Sequence, residues 1–238
     1  MLDKATVLTE LARTMARHDA GLPLAHRLGS SAGQLMGAAG TAITIAYTTV
    51  DRVTICATDD LAARMEDLQD VLGQGPGHVA YTTGQQVPAV FGDVASDDRW
   101  PLLAKAAREM FGSVRFDAIP IRPGRAVLGV LTCHQPPPGG LVLGASTTQF
   151  LADAVGAALL DDPQKDVVER SSPWSSRASI HQATGMVVAQ LGVTTDDAVA
   201  LLRAHAFAHE HSLADTATAV VSRELDFSRE DAEGEGPS

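Results

Sequence analysis

The sequence has little of several features that mark particular classes of protein. Its 238 residues include two cysteines, Cys56 and Cys133, which are too few for a disulfide scaffold or a cysteine-based metal site, so any pairing between them would be a redox event. No segment approaches the about 20 continuous apolar residues that a transmembrane helix requires. Residues 1–15 have the pattern of an amphipathic helix rather than of a signal peptide. These absences predict a cytoplasmic protein with no membrane partner.

Positive charge is also scarce. The chain has 18 lysines and arginines against 29 aspartates and glutamates, for a formal net charge of −11. An acidic protein repels phosphates at long range, so any binding to nucleic acid needs a local patch rather than the overall field. The hydrophobic content of 45% is that of a globular chain, and its length favours two domains over one.

The order of predicted elements over residues 1–162 indicates an α+β fold. Stretches rich in β-branched residues alternate with helical patterns and turn signals, which predicts an antiparallel sheet with flanking helices. The predicted strands are 41–48, 52–58, 85–91, 113–121 and 126–134. The predicted helices are 3–17, 21–38, 59–72, 99–111 and 146–160, the last of them capped by Ser146, with turns at 73–77 and 136–140.

Three compact helices are predicted after a linker at 163–174. Ser175 or Ser176 is the expected cap of the first, and Gly192 ends it. The patterns Thr194-x-x-Asp197 and Ser212-x-x-Asp215 are capping boxes for the second and third helices. This predicts a helical domain over 175–226, and the acidic composition of 227–238 predicts a disordered tail.

The helical domain resembles the ANTAR domain, the three-helix module of bacterial transcription antitermination regulators that bind RNA. The resemblance covers about 175–226 and is carried by Arg177, Ile180, Ala183, Gly185-Met186, Leu191-Gly192, Ala198, Leu201-Leu202-Arg203, Ala206, Leu213-Ala214-Asp215, Ala217 and Val220-Val221. The preceding part, about 20–160, resembles a GAF domain through Gly75-Pro76, Asp93, Trp100, Pro120 and Gly129. Together the halves resemble the GAF-plus-ANTAR regulators of actinobacteria. The resemblance implies a homodimer whose first domain senses an unknown small-molecule signal and whose second binds an RNA hairpin in a nascent transcript.

The first helix of the ANTAR-like domain carries most of the residues that the resemblance assigns to RNA binding. Its apolar spacing places Ala183, Thr184 and Val187 on a core face and Gln182 and Gly185 on the opposite face. A mid-helix glycine lowers helix stability, which predicts that another body approaches closely, either a crossing helix or RNA. The RNA-binding residues implied by the resemblance are Arg177, Gln182, Thr184, Gly185 and Arg203. Thr184 stands where the family often has lysine, so it offers a hydroxyl but no charge to a phosphate.

Other functions are less well supported by the sequence. His205, His209 and His211 have spacing that two imidazoles can use to bind zinc, but no HExxH glutamate or neighbouring cysteine completes a site, so no metal and no cofactor are predicted. No catalytic constellation is identifiable, so the protein is not predicted to be an enzyme. The alternative to RNA binding is a ligand-binding, dimerising protein whose helical module serves protein association. Helices 3–17 and 146–160 are the expected dimer elements.

Overall fold

The computed structural model describes residues 3–46, 52–92, 98–160 and 173–228. The chain divides into two compact units, the first containing most of residues 1–165 and the second most of 166–238. Asp93 and most of the predicted linker and acidic tail lie outside the described residues.

The first unit is built on a five-stranded antiparallel sheet with the strand order β2-β1-β5-β4-β3. Its strands are β1 (Gly40–Ala46), β2 (Arg52–Ala57), β3 (Val87–Phe91), β4 (Val114–Ile121) and β5 (Gly129–Gln135). The central strands β4 and β5 are buried along nearly their whole length. All five predicted strands are present, and the predicted α+β architecture is confirmed.

Six helices accompany this sheet in the described part of the first unit. They are α1 (Lys4–Met15), α2 (Leu24–Met36), α3 (Asp60–Leu72), α4 (Pro76–Thr83), α5 (Pro101–Phe111) and α6 (Ala145–Leu160). Asp3 caps α1 by accepting a hydrogen bond from the Thr6 amide at 2.9 Å, and Gly37 ends α2 in the left-handed conformation at φ 72°. The predicted cap at Ser146 is wrong, because α6 already begins at Ala145. The sequence also predicts only a turn at 73–77, whereas Pro76 opens a helix.

The two faces of the sheet differ in chemistry. Helices α1, α2 and α6 cover one face with a continuous apolar core, in which Leu28, Ile43, Leu131 and Leu151 have no exposed surface. The opposite face, beside α3 and α4, carries the strand hydroxyls of Thr44 and Thr132, both almost fully buried. Because side chains alternate between faces along a strand, apolar Ile43 and polar Thr44 point to opposite sides. This alternation separates an apolar layer from a buried polar cluster.

The second unit contains three helices among its described residues: α7 (Pro173–Leu191), α8 (Thr195–Ala208) and α9 (Leu213–Val221). The capping boxes are confirmed, since Thr194 accepts from the Asp197 amide at 3.2 Å and Ser212 from the Asp215 amide at 3.0 Å. The predicted cap at Ser175 or Ser176 is wrong, because α7 begins at Pro173.

The core of the second unit extends into the segment assigned to the acidic tail. Ala183, Leu202 and Ala217, one from each helix, have no exposed surface and pack in the same cluster. Phe227 is 7% exposed and belongs to this cluster. The prediction that the disordered tail begins at 227 is therefore wrong at its first residue, because the aromatic ring is held by the apolar core of the helices.

Candidate nucleic-acid interface and sensor site

The face of α7 opposite the core is exposed and free of contacts with described residues at its centre. Gln182, Gly185 and Ala189 are all exposed. A Cβ atom built on Gly185 would meet no described atom within 4 Å. No described helix of the chain crosses this face. For the described residues, a crossing helix of the same chain is therefore excluded as the explanation of Gly185.

Thr184 lies on the other side of α7 from this exposed face. It is 6% exposed, and its hydroxyl donates a hydrogen bond of 2.7 Å to the backbone carbonyl of Ile180, one turn earlier. A threonine that bonds to the preceding turn and packs in the core does not present its hydroxyl to a ligand. The interpretation of Thr184 as a phosphate contact is therefore incorrect, and the helical spacing that placed it on the core face was the better guide.

The two arginines predicted to bind phosphate occupy different helices. Arg203 is half-buried on α8. Arg177 belongs to α7, but its side chain is outside the described residues. Arg203 and Arg223 supply the fixed positive charge of residues 179–228, against six carboxylates: Asp196, Asp197, Glu210, Asp215, Glu224 and Asp226. Electrostatic attraction to a phosphate backbone is consequently weak.

His205, His209 and His211 of the second unit are arranged by contacts between their rings. The rings of His205 and His209 lie parallel, with centroids 4.0 Å apart, and His209 Nδ1 lies 2.9 Å from the His205 carbonyl. His205 also meets Phe227 edge-on at 5.6 Å. Among the described residues no group of three or more histidines, cysteines and acidic residues is placed to hold a metal ion. The histidines instead cover the end of α8.

A closed polar cluster lies on the face of the sheet beside α3 in the first unit. Glu66 is 1% exposed and accepts hydrogen bonds from Thr44 and Thr132, both at 2.8 Å. The buried Arg52 donates to it at 3.1 Å, and Gln69 at 3.2 Å. Four donors satisfy both carboxylate oxygens, which is the condition under which a charge is tolerated in an interior.

The Glu66 cluster also fixes the loop that opens α4. Gln69 accepts a hydrogen bond from the Gly77 amide at 2.8 Å, and Arg52 lies 2.7 Å from His78 Nδ1. The turn predicted at 73–77 is therefore tied to the interior by side chains. The sequence signal that was missed is the pair Glu66 and Gln69, three residues apart on the same buried stripe of α3 as Met65 and Leu68.

The two cysteines are buried and inert. Burial raises the pKa of the Cys56 thiol to about 12 and that of Cys133 further still. In the sheet, Cys56 of β2 lies opposite Ile43 of β1, and Cys133 of β5 lies opposite Thr41 of β1. Strand β1 therefore lies between the two cysteines. The cysteines are separated by two strand spacings of about 4.8 Å each, which exceeds the Cα–Cα distance of about 7 Å that a disulfide allows. The two thiols therefore cannot pair without a rearrangement of the sheet.

A surface cleft of about 270 Å³ opens between α2, the start of β1 and the end of β2. Its walls come from segments that are distant along the chain, so the spacing of neighbouring residues does not reveal it. It is lined by Ser30, Gly33, Gln34, Ala38, Ala39, Gly40, Thr41 and Thr58.

Comparison with known families identifies the second unit. Residues 174–221 match the family model of the ANTAR domain, and this part of the chain is an ANTAR domain. An ANTAR domain is a regulatory rather than a catalytic module, so the general class predicted from the sequence, a regulator, is supported. No curated protein sequence matches the chain.

Solved structures similar to the chain show low sequence identity. A GAF domain of A. aeolicus nlh2 in an inactive state is 13% identical with a TM-score of 0.41, over 66% of this chain and 95% of that one. The chromophore-binding domain of Stigmatella aurantiaca bacteriophytochrome is 11% identical with a TM-score of 0.41, over 68% of this chain and 62% of that one. An RNA-binding Light-Oxygen-Voltage receptor is 17% identical with a TM-score of 0.24, over 77% and 46%.

No single helix in the described residues is long and apolar enough to span a membrane. Ser179–Leu191 and Thr195–Ala208 reach the required length and composition only as a pair, which is bent by 106°.

Proposed function

We propose that the protein is a signal-responsive transcription antitermination regulator, in which the ANTAR domain binds RNA hairpins and the first unit senses a small molecule as a GAF-type domain. The observation that carries the proposal is the ANTAR match over residues 174–221 together with the exposed face of α7. Because the target is a nascent transcript, the protein acts in the cytoplasm.

The contact surface on the ANTAR domain is formed by Gln182, Gly185 and Ala189. Gln182 carries an amide that can donate and accept hydrogen bonds, and the absence of side-chain bulk at Gly185 lets an RNA backbone approach the helix. Arg177 and Arg203 supply the phosphate contacts. Thr184 is not part of this surface, because its side chain is buried.

Two copies of the chain compensate for the low positive charge of one. Linking two weak binding sites turns the second contact into an intramolecular event and strengthens the overall affinity. The exposed apolar side chains Leu8 on α1 and Leu160 at the end of α6 are 45% and 47% exposed, and they favour these two helices as the dimer elements.

Binding of the full chain to an RNA with two hairpins, measured at low salt, tests the proposal. The variant Ala189→Leu adds a bulky side chain to the exposed face of α7 and is expected to weaken binding at least tenfold. Ala200→Leu places the same change on an exposed position of α8 and is expected to bind as the wild type does. Equal binding by both variants contradicts the assignment of this face.

The arginines require a second pair of variants with equal net charge. Arg177→Ala/Arg203→Ala is expected to weaken binding, whereas Arg17→Ala/Arg64→Ala, which removes two exposed arginines of the first unit, is expected to leave it unchanged. Equal losses in both double variants would mean that net charge alone is responsible.

The alternative function is protein association through the ANTAR domain. It is favoured by the excess of carboxylates and by the small side chains on the exposed face of α7. If the wild type binds no RNA at any salt concentration while Ala189→Leu changes the oligomeric state, this alternative replaces RNA binding.

A further inference from the structure

The cleft between α2 and β1 has the composition of a site for a neutral polar molecule. Three of its lining residues carry hydroxyl groups, namely Ser30, Thr41 and Thr58, and Gln34 adds an amide. No lysine, arginine or carboxylate is among the lining residues. Its volume of about 270 Å³ lies just below the about 300–1,000 Å³ of sites for drug-sized ligands, so its occupant is small.

Thr41 has a hydroxyl that the protein itself leaves without a hydrogen bond. The residue is 1% exposed, and its Oγ1 has no partner among the described residues. Buried hydroxyls in native proteins are nearly always hydrogen-bonded, and an unpaired one is destabilising. A residue that lines a cleft and carries such a hydroxyl indicates a partner supplied from outside the chain.

Two glycines of α2 border this hydroxyl. A Cβ atom on Gly29 or on Gly33 would lie 3.5 Å from Thr41 Oγ1, and the one on Gly33 would lie 2.6 Å from Thr41 Cγ2. The glycines let α2 pack closely over Thr41. Neither glycine has a side chain that could form a hydrogen bond with the Thr41 hydroxyl. The unpaired hydroxyl is thus built into the contact between α2 and β1.

Thr58 supplies a second anchoring hydroxyl. Its Oγ1 accepts a hydrogen bond from the Thr41 amide at 2.8 Å, which fixes the oxygen and leaves its proton for another acceptor. Behind Gly40, a Cβ atom would collide with the Asp59 carboxylate and with its partner His134, so only glycine fits at this edge of the cleft. With no lysine or arginine among its lining residues, the cleft offers no counter-charge to an anionic occupant.

We propose that this cleft binds a small neutral polyol, a molecule of the size and chemistry of a monosaccharide, whose hydroxyls both donate and accept hydrogen bonds. The cleft lies on the α2 side of the sheet, opposite the closed Glu66 cluster. The inference names the ligand class for the sensing role in the proposed function and rests on that role, but it does not depend on RNA binding.

Saturation-transfer NMR on the full chain tests this inference with four neutral probes: glycerol, glucose, myo-inositol and N-acetylglucosamine. Glucose 6-phosphate serves as the anionic counterpart. At least one neutral probe is expected to bind saturably, and glucose 6-phosphate at least tenfold more weakly than that probe. The variant Ala39→Leu, at an exposed position of the cleft wall, fills the cleft and is expected to abolish binding.

Thr41→Val separates a ligand contact from a structural role. The near-isosteric change removes the unpaired hydroxyl, so the unliganded variant is expected to melt at a higher temperature than the wild type while binding the probe three- to tenfold more weakly. A threonine kept for structure would lower the melting temperature when replaced. Thr9→Val, at an exposed position of α1 whose hydroxyl bonds only to the Ala5 carbonyl, is the matched control and is expected to bind normally.

Three results overturn the proposal: no saturable binding of any neutral probe, equal binding by wild type and Ala39→Leu, or tighter binding of the anion. The first is also the result expected if only an ordered water satisfies Thr41. RNA binding is measured on the same samples without probe. Loss of probe binding with RNA binding intact refutes the cleft alone, and the reverse refutes RNA binding alone.

Discussion

Replacing Gly185 by alanine is expected to stabilise the ANTAR domain, because the glycine lies in the interior of α7 with no steric reason for its presence in the described chain. Alanine is favoured over glycine in a helix interior by about 0.8–1.0 kcal/mol. The φ angle of Gly185 is not positive, and a Cβ atom there would meet no described atom within 4 Å. The whole helix-forming gain of about 1 kcal/mol is therefore expected to appear as stability.

Gly156 in α6 provides the matched control. It too is a mid-helix glycine without a positive φ, but a Cβ atom there would collide with Ile121 Cγ2 and lie 3.1 Å from Pro123 Cδ. Overpacking costs about 1–3 kcal/mol, which offsets or exceeds the same helix-forming gain. Gly156→Ala is thus expected to be neutral or to destabilise the first unit by up to about 2 kcal/mol.

Amide hydrogen exchange read by mass spectrometry measures the two helices separately, which matters because a chain of two units need not unfold in one step. Exchange from peptides of α7 is expected to slow about four- to fivefold in Gly185→Ala. Faster exchange in this variant would refute the reasoning, since it would mean that part of the chain already occupies the space above Gly185. If alanine also weakens RNA binding, the glycine is retained for contact at a cost in stability.

Three further outcomes are expected. Glu66→Gln leaves the buried Arg52 without its counter-ion and is expected to lower the free energy of unfolding by about 3–5 kcal/mol. The control Glu10→Gln, in an exposed pair with Arg13, is expected to lower it by less than about 1 kcal/mol. Urea denaturation measures both changes. Stability is expected to fall as pH rises from about 8.5, where thiols of the unfolded chain ionise, towards about 12, because Cys56 stays protonated in the folded state; Cys56→Ala/Cys133→Ala should show a shallower fall. The salt dependence of RNA binding is expected to have a log–log slope no steeper than about −4, since two arginines from each of two copies neutralise about four phosphates; a steeper slope would show that other cations contact the RNA.

Element type followed well from local chemistry. Thr194 and Ser212 were identified as caps from their own residue types and an aspartate three positions later, and both caps form as predicted. The five strands followed from runs of β-branched residues, and Gly192 ends α7 with a φ of +67°. These features depend on residues within one turn or one strand of each other, so the sequence contains the information needed.

The wrong predictions mainly concern residues whose burial depends on contacts with distant parts of the chain. Phe227 was assigned to a disordered tail by the composition of its neighbours, yet its ring packs in the core formed by α7, α8 and α9. The start of α7 at Pro173 was placed three or four residues late, because serine is the stronger cap signal. Thr184 was assigned a phosphate contact by resemblance, although its position on the core stripe buries it.

The sequence by itself determined the α+β class of the first unit, the three helices of the second and the ANTAR identity of residues 174–221, because helical period, strand alternation and capping are local. Only the tertiary structure decided the state of the candidate sites. On one side of the sheet, the buried side chain of Glu66 is fully hydrogen-bonded. On the other side, the Thr41 hydroxyl lies beside the α2 glycines without a hydrogen-bond partner among the described residues. Gly185 is exposed, with no described neighbour above it. Each of these features depends on which distant segments of the chain pack against each other. The spacing of neighbouring residues does not determine those contacts.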